Sequence, residues 1–176
     1  MNIIEVLKND GVGVLATDTV YGIVARLFSH EAVNRLYRVK HGDTPRAVGT
    51  VLIAAPEQLQ GIVDDKFVKK ATHFWPGPVS VILPVHGLDY AHKGLGSLPF
   101  RVPADEKLVA ILEQTGPLAT SSANLPMQPT ATTIEQAKQY FGDAVDFYED
   151  AGDLSNRTES KIIKILDNGD IQQVRP

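Results

Sequence analysis

Val12-Gly13-Val14-Leu15-Ala16-Thr17-Asp18-Thr19-Val20-Tyr21-Gly22 is a run in which apolar character stops abruptly and two hydroxyls, a carboxylate and a glycine follow within seven residues. A short apolar stretch bounded by glycine, here Gly11 and Gly13, reads as a buried strand over Val12–Ala16. In open α/β sheets, ligands collect just beyond the carboxyl ends of strands. Thr17, Asp18 and Thr19 therefore stand where a small polar substrate would be gripped, and Gly22 lets backbone approach it closely. Thr, Asp and Gly are also ordinary turn formers, and by composition alone a polar turn is the commoner meaning of the segment.

Working outward, residues 2–9 place Ile3, Ile4 and Leu7 at helical spacing. Ser29 is a good N-cap for a helix whose Val33, Leu36 and Tyr37 share a face and which Lys40 ends. Further strands are expected at Val48–Ile53, Val79–Leu83, Pro99–Val102, Val145–Tyr148, Ser160–Leu166 and Ile171–Val174, with a short one at Leu118-Ala119. Helices are expected from Pro56, over 65–74, over 104–115 with Leu108, Ile111 and Leu112 inward, and over 133–141 with Thr132 or Thr133 as cap. Strands alternating with helices give an α/β fold, a sheet covered by helices. Closely spaced late strands add antiparallel pairing, so the sheet is expected to be mixed. The 176 residues suit one domain over 1–176.

Composition narrows the function classes. The chain is 43% apolar and 22% charged, which is the make-up of a folded globular protein. It has no Cys, which excludes disulfides, thiolate zinc sites and thiol nucleophiles. His30, His41, His73, His86 and His92 lack metal-ligand spacing, so no protein-ligated metal is expected. Apolar runs fall short of the ~20 residues that span a bilayer, and the acidic start MNIIEVLKND is no signal peptide. A cytoplasmic protein without membrane contact is the expectation. The net charge of −4 argues against nucleic-acid binding by the whole surface. A local patch of Lys40, Arg46, Arg101, Lys161 and Arg175 would have to be gathered by folding. Walker A, Gly-x-Gly-x-x-Gly and Gly-x-Ser-x-Gly motifs are all missing.

Five more segments carry chemistry-bearing residues. In Lys40-His41-Gly42-Asp43-Thr44-Pro45-Arg46, two cations flank a loop; they suit phosphate oxygens, although Lys at a helix end is the commoner local meaning. Phe74-Trp75-Pro76-Gly77-Pro78 holds the single Trp, more often a buried anchor than a stacking platform. Gly116 to Asn124 runs from an apolar strand into Thr120-Ser121-Ser122-Ala123-Asn124, which is either an oxyanion or phosphate cradle or a cap before a turn. Glu159-Ser160-Lys161 and the final Val174-Arg175-Pro176 are weak signals taken singly.

Taken in order, these segments resemble the YrdC family of threonylcarbamoyl-AMP synthases. Residues 16–23 are similar to its Pro-Thr-Asp-Thr-Val-Tyr-Gly-Leu, and Lys40 falls on its Lys-x-Arg-Pro. Phe74 to Pro78 resembles its Phe-Trp-Pro-Gly-Pro, and Phe100-Arg101-Val102-Pro103 its Val-Arg-Val-Pro. Ser122 to Leu125 is similar to Ser-Ala-Asn-Leu, Ser160 sits at Pro-Ser-Thr, and Arg175-Pro176 at the terminal Arg-Pro. The likeness spans nearly the whole chain. It implies a YrdC-like twisted mixed sheet with helices around a positively charged cavity. It also implies a nucleotidyltransferase that turns L-threonine, bicarbonate and ATP, with Mg²⁺ bridging the phosphates, into threonylcarbamoyl-AMP and pyrophosphate. A downstream threonylcarbamoyl-transferase complex then modifies tRNA, and family members bind double-stranded RNA or tRNA. By resemblance Lys40, Ser122 and Asn124 are catalytic, and Thr19, Arg101 and Ser160 hold threonine. Lys40, Arg46, Ser97, Ser122, Asn124, Thr132 and Arg175 contact ATP.

The chain departs from the pattern at Gly42, where the family has the Arg of Lys-x-Arg. Pro126-Met127 replaces a Ser-Gly, Ser160-Lys161 a Ser-Thr, and Asp153 to Arg157 a Gly-rich loop. Loss of one clamp Arg costs ~2–4 kcal/mol of transition-state stabilisation, by analogy with an oxyanion donor. The alternative implied is a non-synthase paralogue that binds double-stranded RNA or acts in ribosome maturation. A carbamoyl transferase acting on another amine is the third, against which Thr19 and Arg101 argue because they suit an amino acid.

Overall fold

Thr17 turns the chain back on itself. Its amide donates to the Val20 carbonyl at 3.1 Å, and its hydroxyl donates to the same oxygen at 2.7 Å while accepting the amides of Thr19 and Val20 at 3.2 Å each. A threonine bonding its own loop in this way competes with strand pairing and ends it. The result is a hairpin of β1 (Gly13–Ala16) and β2 (Tyr21–Arg26), with Ala16 opposite Tyr21 and Gly13 opposite Val24. The sequence reading does not anticipate β2. It is buried from Tyr21 to Ala25, so it shows no apolar–polar alternation, and its Tyr-Gly start looks like the end of a loop.

The described residues, 2–44, 46–166 and 170–176 of a computed structural model, contain one nine-stranded sheet. Its other strands are β3 (Thr50–Leu52), β4 (Val79–Pro84), β5 (Ser97–Arg101), β6 (Leu118–Ser122), β7 (Phe147–Tyr148), β8 (Lys161–Ile165) and β9 (Ile171–Arg175). The order is β7-β1-β2-β6-β3-β5-β4-β8-β9. β1/β7, β3/β5 and β4/β8 are parallel and the remaining pairs antiparallel, which is the mixed sheet expected.

Helices α1 (Ile3–Lys8), α2 (His30–His41), α3 (Asp65–Ala71), α4 (Asp89–His92), α5 (Glu106–Thr115) and α6 (Ile134–Phe141) complete the fold. Side-chain caps fix four starts: Asn2 accepts the Ile4 amide, Ser29 that of Ala32, Asp105 that of Leu108, and Thr133 that of Gln136. The single turn α4 is too short to leave a periodic signal, and the helix expected to reach residue 74 ends at Ala71 in a 3₁₀ turn.

Three apolar clusters lie against the sheet. Leu7, Leu15, Val24, Leu52, Leu108 and Leu118 pack under α1 and α5. Tyr21, Ile23, Leu36, Ile134 and Phe141 pack beneath α2 and α6. Val51, Val81, Leu98, Phe100 and Ile163 form the third, with Tyr37 and Ala71. Strand alternation sends Leu98 and Phe100 of β5 into that core and Ser97, Pro99 and Arg101 to the other face. There Ile82, Pro84, Ser97, Pro99 and Lys164 stay half-buried or exposed. This open half of one sheet face adjoins the polar cleft.

Gly13 tests the packing. A Cβ at this position would lie 2.1 Å from the Phe147 ring. Gly13→Ala is expected to lose about 1–3 kcal/mol, measured as a lower midpoint in urea unfolding.

Candidate active site

Arg101 ends β5 with a guanidinium that is only 3% exposed. Its Nη1 donates to the Thr19 hydroxyl at 3.1 Å, and Nη2 lies 3.1 Å from Asp18 Oδ1. The Thr19 and Thr17 hydroxyls are 2.9 Å apart, so the hairpin turn itself carries the arginine's partners. Arg101 Nε is buried without a hydrogen-bond partner, and Asp18 Oδ1 has its ion pair with Nη2 but no aligned hydrogen bond. An orphaned donor such as Nε costs about 1–3 kcal/mol unless a ligand satisfies it. Burial pulls the Arg101 pKa below its ordinary value; Asp18 opposes that shift, and the Arg175 charge adds to it.

A row of hydroxyls crosses the sheet beside it. Thr50 Oγ1 meets Ser80 Oγ at 3.2 Å, and Ser80 meets Ser160 Oγ at 3.0 Å. Arg175, at the end of β9, donates from Nη2 to Ser160 Oγ at 3.2 Å and to the Ser160 carbonyl at 2.7 Å. Its Nη1 donates to Glu159 Oε2 at 2.6 Å, and Glu159 Oε1 accepts from Thr130 at 3.2 Å.

The third element is the end of α2. The Lys40 ammonium donates to Asn124 Oδ1 at 2.6 Å, to the Asn124 carbonyl at 3.0 Å and, more closely, to the Ser122 carbonyl. Ser122 Oγ donates to the same Asn124 Oδ1 at 2.8 Å, and Asn124 Nδ2 donates to the Gln128 carbonyl at 2.7 Å. Burial pulls the Lys40 pKa down to about 8, opposed by the negative charge of Glu159. Lys40 is thus held by a fixed set of oxygens rather than waving at a helix end.

Thr19, Arg101, Ser122, Ser160 and Arg175 line one cleft, and Lys40 and Asn124 meet Ser122 at its rim. Gly22 keeps the floor flat, since a Cβ there would come within 2.7 Å of Thr120 Oγ1. Three sequence-derived candidates do not join this group. Ser97 shares the face of Arg101 but starts the strand that Arg101 ends, ~13 Å away at strand rise. Arg46 is exposed and borders a separate cleft with Arg38 and Lys93. Thr132 bonds the Gln136 side chain through both its amide and its hydroxyl, at the start of α6. Trp75 is an anchor: its indole donates to the Val79 carbonyl at 3.0 Å, and the ring packs on the core. Gly42 caps α2 with φ +62°, a backbone that favours glycine, although a side chain would meet nothing within 4 Å.

The sequence reading missed Thr50 and Ser80; it placed Asp18 only within the turn segment and Glu159 only within the weak signal Glu159-Ser160-Lys161. Ser80 and Thr50 each stand as one hydroxyl inside an apolar strand, which by itself signals no site. The cleft holds three cations, Lys40, Arg101 and Arg175, against two carboxylates, Asp18 and Glu159. Among the described residues, no three His, Asp or Glu side chains converge as a metal site, and no helix is long and apolar enough to cross a membrane.

The sequence profile of the family described as Telomere recombination, which groups Sua5, YciO and YrdC proteins, matches residues 5–176. The chain belongs to the Sua5/YciO/YrdC family. Among relatives, the threonylcarbamoyl-AMP synthase of Idiomarina loihiensis is 34% identical over 167 residues, covering 89% of each chain. Among solved structures, P. abyssi Sua5 complexed with L-threonine superposes with a TM-score of 0.87 at 26% identity, covering 99% of this chain and 52% of that one. The chain therefore spans about half the length of that Sua5. E. coli YciO superposes with a TM-score of 0.82 at 22% identity, covering 98% of this chain and 86% of that one, a likeness of fold.

The Lys40 environment gives a pH prediction for this family member. Burial holds the Lys40 pKa at about 8 in the folded chain, against the ordinary lysine value of about 10.5 in the unfolded chain. The folding penalty of the buried ammonium is therefore fully present below pH 8 and is relieved as pH rises towards 10.5. The stability of the wild type relative to Lys40→Met should increase by about 1–3 kcal/mol across that window, read from urea unfolding of both proteins at each pH.

Proposed function

We propose that this chain is an L-threonylcarbamoyladenylate synthase, acting in the cytoplasm to supply tRNA threonylcarbamoyladenosine modification. The observation that supports this most is the meeting of Thr19–Arg101, Lys40–Ser122–Asn124 and Ser160–Arg175 around one cleft. The relative named threonylcarbamoyl-AMP synthase, which aligns over 89% of this chain, supports the same reading.

In this reading the threonine carboxylate takes the guanidinium of Arg101, whose Nε is free to donate, with Thr19 beside it. Arg pairs carboxylates through two parallel hydrogen bonds. Ser160 faces the same pocket and offers its hydroxyl to the amino acid. The neutral threonine amine adds to bicarbonate with loss of water, giving an N-carboxylate. One oxygen of that carboxylate attacks the α-phosphorus of ATP, and pyrophosphate leaves. Each step brings anions together, so the rate depends on fixed donors that neutralise developing charge. Lys40, the Asn124 amide and Arg175 do this here. Arg46, Ser97 and Thr132, which lie outside the cleft, are assigned to the remainder of the nucleotide. Asp18 and Glu159 are both engaged by arginines, so the cleft offers no cage of free carboxylates. Mg²⁺ would therefore enter with ATP, where it would supply charge neutralisation of the phosphates without a protein ligand set. A threonylcarbamoyl-transferase complex and tRNA would take the product onward.

A second reading, a non-synthase paralogue that binds double-stranded RNA, is favoured by Gly42 at the family's Arg position. Purified protein with L-threonine, bicarbonate and MgATP separates the two. Pyrophosphate release that depends on threonine supports the synthase. Lys40→Ala should then lower kcat roughly 100- to 1,000-fold, and Thr19→Val should raise the KM for threonine. Salt-dependent binding of duplex RNA without any threonine-dependent release would replace the first reading with the second.

A further inference from the structure

Glu159 stands where the resemblance places the proline of Pro-Ser-Thr. Its side chain joins two walls of the cleft. Oε2 accepts from Arg175 Nη1 at 2.6 Å, and Oε1 accepts from Thr130 Oγ1 at 3.2 Å, on the loop after β6. Its charge also reaches Lys40, whose ammonium form it favours. The carboxylate thus bonds one of the two cleft cations that the synthase reading assigns to phosphate, Arg175, and lies in electrostatic range of the other, Lys40. A carboxylate offers an arginine the same paired oxygens as one edge of a phosphate, and an arginine already bonded to one anion is less available to another. The Glu159 side chain is 35% exposed, so it has solvent to swing into.

We propose that Glu159 is a built-in occupant of the phosphate subsite: its carboxylate holds Arg175 until an anionic ligand displaces it. This rests on the synthase reading in one respect, the assignment of Arg175 to phosphate. The device sets how tightly the cleft takes phosphates. It also makes this protein, with its carboxylate at that position, a weaker phosphate binder than one with proline there.

The test is isothermal titration of inorganic pyrophosphate and of MgATP into the wild type, Glu159→Gln and Glu159→Ala. Both variants remove the charge, and the first keeps the shape. Each is expected to bind pyrophosphate about fivefold more tightly than the wild type at low salt, the scale of a half-exposed ion pair. The gain should shrink at high salt. Unchanged or weaker pyrophosphate binding by both variants overturns the inference, as does the absence of binding to every form. If MgATP binds no form while pyrophosphate prefers the variants, the inference stands and the nucleotide assignment falls. If all forms bind MgATP alike and pyrophosphate alike, the inference falls and the nucleotide assignment survives.

Discussion

A guanidinium almost sealed from water has to be neutralised by the fold, and the Arg101 contacts with Asp18 and Thr19 do this. The partners are 82 or 83 positions apart in sequence and come from the first hairpin turn and the end of β5. They meet only if β6 and β3 are inserted between β2 and β5 in the observed order. The Thr17 hydroxyl fixes the turn, the turn aims Asp18 and Thr19, and those two set the Arg101 guanidinium in the cleft. Removing one partner of a buried ion pair costs ~3–5 kcal/mol. Fold and site therefore share this one interaction, and a change at Asp18 would disturb both.

The cleft is cationic in content but not in excess. Arg101 faces Asp18, Arg175 faces Glu159, and Lys40 is wrapped in neutral oxygens with Glu159 in electrostatic range. Such a site is preorganised, because each donor is already aimed by an acceptor. It also resists folding less than three unpaired buried cations would. The pairing has a functional corollary. Because burial has brought Lys40 to about 8, the phosphate charge that the proposed reading brings into the cleft would raise its affinity for the proton and hold it in the ammonium form.

The parts of the fold legible in the sequence are those where the pattern is local. Ser29 announced α2, and Thr132 or Thr133 announced α6, because capping needs only adjacent residues; the structure settles the second on Thr133. The apolar runs ending at Ala16 and beginning at Val79 announced strands. β2 was not legible, because a central strand buried on both faces loses its alternation and Gly22 mimics a turn. In the site, the motif residues Thr19, Lys40, Arg101, Ser122, Asn124, Ser160 and Arg175 do gather. Arg46, Ser97 and Thr132 lie apart, and sequence order contains nothing to measure their distance from the cleft. Thr50 and Ser80 were hidden for the opposite reason. Each is one hydroxyl in an apolar strand, and its partner lies on a strand that is a neighbour only in the folded sheet.

Gly42 changes meaning once its backbone is seen. With φ at +62° it closes α2, and its amide is bonded to the Arg38 carbonyl at 2.9 Å. An arginine in that conformation would be strained by about 1–3 kcal/mol, so the family's Arg has not simply been deleted from an unchanged loop; the loop leaves the helix along a path that suits glycine. Glu159 departs from the family pattern within electrostatic range of Lys40, the residue two positions before Gly42. One change withholds a cation and the other adds an anion, and in the proposed reading both weaken the hold on phosphate. Arg101, Thr19 and Ser160, which the proposed reading gives to the amino acid, keep the family residues and are bonded into the sheet. In that reading the changes at Gly42 and Glu159 both fall at the phosphate end of the cleft, and the grip on the amino acid is left intact.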